Sequence, residues 1–226
     1  MSETSRYTSP MHAGARFVAQ RLVMKPFIWR LARVTVLGRE RLEALSGPYV
    51  VVSNHASHLD APLIIGALPP RLARHVAAGA AADYFFEVWW RKGLTALFFN
   101  AFPVDRTGLR GQRGLATTLL DVGVPLLLFP EGTRSATGEM SAFKPGAAAL
   151  CLSRNVPCLP VAIVGAAEAM PRGSRWPARG RPPVYVTFGA PLEAEDESVM
   201  EFSDRIAKEV RGLIDETEHY REQHDR

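Results

Sequence analysis

From Pro48 onward, short β-branched runs alternate with stretches that read as helix, and this rhythm narrows the possible architectures more than any other feature of the chain. The strand candidates are residues 49–53, 74–78, 102–104, 124–129, 158–164 and 184–188. Between them, residues 61–68, 83–98, 110–122 and 145–154 read as helices, and a charged helix follows over about 198–218. Strands separated by helical crossovers pack as a sheet covered by helices, so the pattern implies an α/β fold with a mixed central sheet. The chain's 226 residues, 47% of them hydrophobic, suffice for one sizeable core. A single domain is expected.

The start of the chain reads differently. Residues 1–13 are polar and are expected to be mobile, whereas residues 14–37 mix Phe17, Phe27, Ile28, Trp29 and Leu31 with five cations and read as helix. Pro26 lacks a backbone N–H and crowds the preceding turn, so two short helices or a kink are expected there. A basic helical segment with embedded Trp and Phe suits a lipid interface, and it also suits packing across a domain. Residues 1–40 are therefore expected to form a basic, membrane-associating helical segment, and residues 41–226 the α/β domain.

The formal net charge of +4 conceals a split. Residues 1–192 hold 22 Lys+Arg against 11 Asp+Glu, and residues 193–226 hold 5 against 12. The basic part favours an anionic partner, for which phosphate-bearing lipid, coenzyme and nucleic acid are all candidates. The segment PRGSRWPARGRPP, residues 171–183, is a basic loop suited to lipid headgroups or coenzyme phosphates, or to service as a solvated connection. It lacks interleaved stacking aromatics, which argues against nucleic acid.

The longest strongly apolar stretch, residues 93–104, has 12 residues, short of the roughly 18–20 that a spanning helix needs. No transmembrane helix is expected. Cations interrupt every candidate signal-peptide core, so a cytoplasmic location is expected. Cys151 and Cys158 stand without a CxxC pair or a His cluster, which reads as two buried thiols and no metal site.

Two loops carry the chemistry. The strand at 49–53 ends in NHASHLD, Asn54 to Asp60, and Pro62 fits the first turn of the next helix. Residues five apart on one regular helix diverge by about 140°, so only a strand-to-helix bend brings His55 and Asp60 together. In that arrangement Asp60 fixes the imidazole tautomer and leaves the other nitrogen free as a base, which is half a catalytic triad. The missing nucleophile implies a substrate that brings its own hydroxyl. Taken alone, the same residues also suit a polar turn with Asp60 as helix cap. His58 is the rival base.

The second loop, FPEGTRS, Phe129 to Ser135, also follows a strand, where ligands gather in open α/β sheets. Gly132 permits close approach of backbone amides to an anion, and Arg134 offers a planar fork matched to phosphate. Glu131 is expected to hold Arg134 or the acceptor hydroxyl, and Thr133 to add a hydrogen bond. In FPVDRTG, residues 102–108, Arg106 is a second phosphate candidate, while Asp105 reads as a cap or local ion pair. Tyr84, Phe85, Phe86, Trp89, Trp90, Phe98 and Phe99 suit an apolar tunnel, a bilayer contact or ordinary core.

Taken in order, NHASHLD, FPVDR, FPEGTRS and VPCLPVAIV resemble the four motif blocks of the glycerolipid acyltransferases, specifically the 1-acylglycerol-3-phosphate O-acyltransferase (lysophosphatidic acid acyltransferase) family, over residues 49–189. The resemblance implies that His55 is the general base and Asp60 its partner, with Arg106, Glu131, Gly132 and Arg134 contributing to the acceptor's phosphate site. Pro160 falls in the fourth block, with a packing or binding role. FKPG, Phe143 to Gly146, resembles a further family stretch in which a basic residue is common where Pro145 stands. Family members move an acyl group from acyl-CoA or acyl carrier protein to the free hydroxyl of a lysophospholipid, without metal or other cofactor. A peripheral site on the cytoplasmic face of the membrane is the implied location. Alternatives are acylation of another lysolipid acceptor and a non-catalytic anionic-lipid-binding role.

Overall fold

The computed structural model of the protein describes residues 5–81, 97–104, 113–135, 137–174 and 176–225. Seven strands form one sheet in the order β1-β7-β6-β2-β5-β3-β4. They are β1 (Arg33–Leu37), β2 (Val50–Ser53), β3 (Ala77–Ala81), β4 (Phe102–Val104), β5 (Leu126–Leu128), β6 (Cys158–Val164) and β7 (Pro183–Phe188). All pairings are parallel except β6 with β7, so the sheet is mixed, as expected. The central strands β2 and β6 are buried along their whole length, the reading of a parallel strand covered on both faces.

The alternation of side chains sorts the core into two layers. Val51, Leu127 and Leu159 point to one face, beneath α3 (Lys25–Leu31), α4 (Asp60–Ala67) and α5 (Pro70–Ala73). Val50, Val52, Leu126 and Cys158 point to the other, beneath α6 (Arg113–Asp121), α7 (Gly146–Arg154) and α9 (Val199–His224). A short α8 (Ala166–Ala169) follows β6. Helix α9 starts at a capping box between Ser198 and Glu201 and buries Phe202, Ile206, Val210, Leu213 and Thr217 at helical spacing. Cys151 and Cys158 are free and buried.

Four expectations need correction. Residues 33–37 are not the end of a helix: they form edge strand β1, paired with β7 from Arg33↔Pro183 to Leu37↔Thr187. Residues 5–13 are not a loose polar lead, because α1 (Ser5–Thr8) and α2 (Pro10–Val18) are helical and Tyr7 is 1% exposed. The Tyr7 hydroxyl and Arg6 both donate to the Ala101 carbonyl, tying this end to the domain. The third strand lies at Ala77–Ala81, three residues beyond the expected start. There Gly79 passes so close to β4 and β5 that a Cβ would sit 2.8 Å from Val104 Cγ2 and 2.9 Å from Leu128 Cδ2. Finally, α2 and α3 are joined by a π-helical turn, Ala19–Met24, rather than broken apart at Pro26. The Lys25 N–H bonds the Gln20 carbonyl, five residues back, so the register changes just before the proline that could not have donated.

The N-terminal helices have two apolar faces. Ala13, Met24 and Ile28 are buried, and Gln20 Nε2 donates to the Phe98 carbonyl at 2.8 Å. Met11, Val18, Leu22, Val23 and Phe27 are exposed, Leu22 at 71% and Phe27 at 60%. Beside them, Arg21 and Arg39 donate to the Gly66, Ala67 and Leu68 carbonyls at the negative end of α4. No helix among the described residues is long and apolar enough to cross a membrane. Phe98 and Phe99 pack partly buried against the core, whereas residues 83–96 of the expected helix, with the aromatics Tyr84 to Trp90, lie outside the described residues.

Candidate active site

The loop that leaves β2 wraps around one carboxylate. Asp60 is the first residue of α4, Leu59 being the cap, and its side chain is wholly buried. Its Oδ2 accepts from the Ala56 N–H at 2.7 Å, the Ser57 N–H at 2.8 Å and His55 Nδ1 at 2.8 Å. Because two backbone donors already define Oδ2 as an acceptor, the His55 Nδ1 carries the proton in this bond. Nε2 is left with its lone pair. The carboxylate therefore reaches backwards to the loop instead of forwards to cap α4, and the positive end of the helix favours its charge. This is the strand-to-helix bend that brings residues five apart together.

The imidazole is fixed on its flat side as well. The Phe129 ring stacks on it at 4.1 Å between centroids with planes 20° apart, and the His55 side chain stays 22% exposed. Asn54 and Ser57 pin the two shoulders of the loop. The Asn54 side chain both donates to the Ile163 carbonyl, at 2.8 Å, and accepts from its N–H, at 2.9 Å, so it extends the β2–β6 ladder by one side chain. Ser57 Oγ donates to the Met170 carbonyl at 3.0 Å.

The FPEGTRS loop is laced to this one. Glu131, 5% exposed, accepts from the His55 N–H at Oε1 (2.7 Å) and from the Ser141 N–H at Oε2 (2.9 Å). The Ser135 N–H donates to the His55 carbonyl at 2.8 Å. Both Glu131 oxygens are thus engaged by backbone, an arrangement in which the carboxylate organises the loops. Among the described residues these two backbone N–H groups, rather than the Arg134 side chain, are the partners of Glu131.

Cations gather on the open side. Gly132 has φ +75°, and a Cβ there would lie 2.8 Å from Lys144 Nζ, so the glycine makes room for the lysine of FKPG. The Lys144 N–H also bonds the Pro130 carbonyl at 3.0 Å. Arg134 lies near His58: desolvation, then the charges of Arg134 and His55, hold the His58 imidazole below its ordinary pKa, against the opposing pull of Asp60. His58 itself is exposed and makes no side-chain bond to Asp60. Thr133 is exposed on the same loop.

Arg106 lies outside the described residues. Pro160 is buried, and Gly189 packs on its ring so closely that a Cβ would meet Pro160 Cγ at 2.8 Å, a packing position. The stacking of Phe129, the two-way bond of Asn54 and the approach of Lys144 to Gly132 are the contributions that reading the chain missed, although the FKPG stretch that carries Lys144 resembles a family motif. No group of three or more His, Cys, Asp or Glu side chains among the described residues could hold a metal.

Comparison with known proteins places the fold and the family. The solved structure of the 1-acyl-sn-glycerophosphate acyltransferase PlsC from Thermotoga maritima superposes on 94% of this chain and 85% of its own, with a TM-score of 0.71 at 24% identity, which shows the fold. The 1-acyl-sn-glycerol-3-phosphate acyltransferase of Chlamydomonas reinhardtii is 33% identical over 62% of this chain and 41% of its own length. The alpha form of that enzyme from Bos taurus is 32% identical over 77% of this chain and 60% of its own. The chain thus spans about half the length of these relatives. Residues 33–164, which carry β1 through β6 and both laced loops, match the Acyltransferase family, and the chain belongs to it.

Proposed function

We propose that this protein moves a fatty acyl group from an acyl thioester, acyl-CoA or acyl carrier protein, to the free hydroxyl of 1-acylglycerol 3-phosphate, giving phosphatidate. The observation that carries the reading is the buried Asp60 carboxylate bonded to His55 Nδ1, on a loop whose His58 feels the charge of Arg134 and which is bonded through Glu131 to the loop where Lys144 meets Gly132.

The acceptor's phosphate sits on the Arg134 guanidinium and the Lys144 ammonium, with Gly132 and Thr133 backbone close by and Arg106 as a further cation. That placement brings the free hydroxyl to His55 Nε2. As the hydroxyl oxygen attacks the thioester carbonyl, its proton moves to Nε2, and the imidazolium is stabilised by the Asp60 carboxylate. The tetrahedral intermediate collapses, the C–O bond is kept and the C–S bond breaks. The departing thiolate takes the proton from Nε2, which restores the neutral imidazole. No group on the protein is acylated, consistent with a base that has no serine or cysteine nucleophile bonded to it.

The work is done at a membrane surface. The exposed Val18, Leu22, Val23 and Phe27 enter the lipid interface, an arrangement that gives a peripheral, one-leaflet attachment. A matrix of acyl donors against lysolipid acceptors tests the reading. Highest kcat/KM with 1-acylglycerol 3-phosphate is expected, and preference for an acceptor without a phosphate monoester would overturn the assignment of the acceptor.

A further inference from the structure

The arginine-rich segment 171–182 plays no part in the chemistry just described, yet it is neither loose nor remote. Arg172 Nη1 donates to the Arg134 carbonyl at 3.0 Å, in the loop that carries the acceptor cations. Arg181 Nη2 donates to the Trp29 carbonyl at 3.0 Å, at the end of helix α3 whose Phe27 is exposed. The segment therefore bridges the candidate active site and the apolar face of the N-terminal helices. Its own conformation is held by the Ser174 N–H on the Pro171 carbonyl and the Ala178 N–H on the Ala169 carbonyl.

What this bridge displays is unusual for a connection. Trp176 is 80% exposed, the most exposed of the large apolar side chains described. The sequence PRGSRWPARGRPP surrounds it with four arginines and no acid. A single exposed apolar residue is ordinary on a soluble surface, but a tryptophan is the largest and costliest to leave there. Flanked in sequence by arginines, it has the composition of a bilayer anchor, in which the indole lies at headgroup level and guanidinium groups pair with phosphates.

We propose that segment 171–182 is a second membrane contact, with Trp176 seated in the interface of an anionic bilayer and Arg179 and its neighbouring arginines on the lipid phosphates. This deepens the membrane-surface reading given above and rests on it. The contact turns the molecule so that the Arg134 loop, bonded to Arg172, faces the leaflet from which an acceptor lipid is drawn. A protein held by the N-terminal helices alone would be free to roll about their axis.

The test is partitioning of the full chain onto vesicles of phosphatidylglycerol and phosphatidylcholine, without substrates, for the parent protein and for Trp176→Ala, Trp176→Phe and Arg179→Ala. The expected result is a loss of roughly tenfold in partition coefficient for Trp176→Ala, a smaller loss for Trp176→Phe, and about fivefold for Arg179→Ala that vanishes in high salt. Quenching of tryptophan emission by brominated lipid is expected to drop in Trp176→Phe. Unchanged partitioning and quenching in all three variants would overturn the proposal, as would a raised KM for acyl-CoA with vesicle binding intact, which would assign the segment to coenzyme phosphates. Because vesicle binding is read without turnover, the acyltransferase reading fails or stands separately, on the same variants' activity toward a short-chain, monomeric lysophosphatidate.

Discussion

The backbone N–H of His55 donates to Glu131 Oε1 at 2.7 Å, across 76 residues of sequence, so the loop bearing His55 and the loop bearing Arg134 are bonded to each other. The other Glu131 oxygen holds Ser141, two residues before the FKPG segment that brings Lys144 to Gly132. One buried carboxylate thus sets the relative position of base and cations.

Replacing it separates positioning from binding. Glu131→Gln keeps one acceptor oxygen but presents an NH₂ group to the second backbone donor, leaving a buried N–H unpaired at a cost of about 1–3 kcal/mol. A lower melting temperature and a lower kcat, with acceptor KM nearly unchanged, are expected in thermal melts and steady-state kinetics.

Arg134→Ala is expected to raise the acceptor KM by about 10- to 100-fold, the equivalent of one charge-assisted hydrogen bond pair, with a smaller effect on kcat. Lys144→Ala adds to it. Arg134→Lys restores charge without the planar fork and is expected to recover only part of the loss. The check is the acceptor dependence of initial rates, repeated with an uncharged monoacylglycerol, whose rate the substitutions leave alone.

Asp60→Asn keeps the size of the side chain but removes the charge that holds His55 in its tautomer. A fall of about 10²- to 10⁴-fold in kcat is expected with acceptor KM within a few-fold. Three donors converge on Oδ2, so a loss of stability accompanies the loss of rate.

At the start of α9, Ser198→Ala removes the side-chain acceptor for the Glu201 N–H and is expected to cost about 1 kcal/mol in denaturant unfolding. The Glu201 pKa is lowered by its bonds to Ser198, first to its backbone. A carboxyl depressed in the folded state stabilises above its unfolded pKa, and that contribution disappears as pH falls through the folded value. Glu201→Gln is therefore expected to narrow the stability difference between neutral and acid solution.

What the chain discloses by itself depends on how local the cause is. Strands β2 and β6 are legible because short apolar, Val-rich runs bounded by turns read as buried strands, even with Pro160 inside β6. Strand β3, Ala-Ala-Gly-Ala-Ala, is legible only three residues out of place, because small residues carry little β-propensity and its bounds depend on the close approach of Val104 and Leu128. Strand β1 follows a cation-rich helix directly, and only its pairing with β7, some 150 residues later, decides its state. The same holds at the site. His55 and Asp60 can be paired from a bend five residues long, whereas the stacking of Phe129, the amides held by Glu131 and the approach of Lys144 depend on distant segments folded together. Gly132 looks like an anion-binding turn in sequence, and its φ of +75° is the left-handed backbone that such a turn needs.

The central claim is that His55 Nε2 takes the acceptor's proton. Transfer of a labelled acyl group from acyl-CoA to 1-acylglycerol 3-phosphate, measured for the parent protein and for His55→Ala at matched circular dichroism and acceptor affinity, tests it most directly. A fall of about 10²- to 10⁴-fold in the rate of transfer is the expected result. A His55→Ala protein that binds the acceptor and transfers the label within about twofold of the parent rate, well below the loss expected of a general base, would contradict the account.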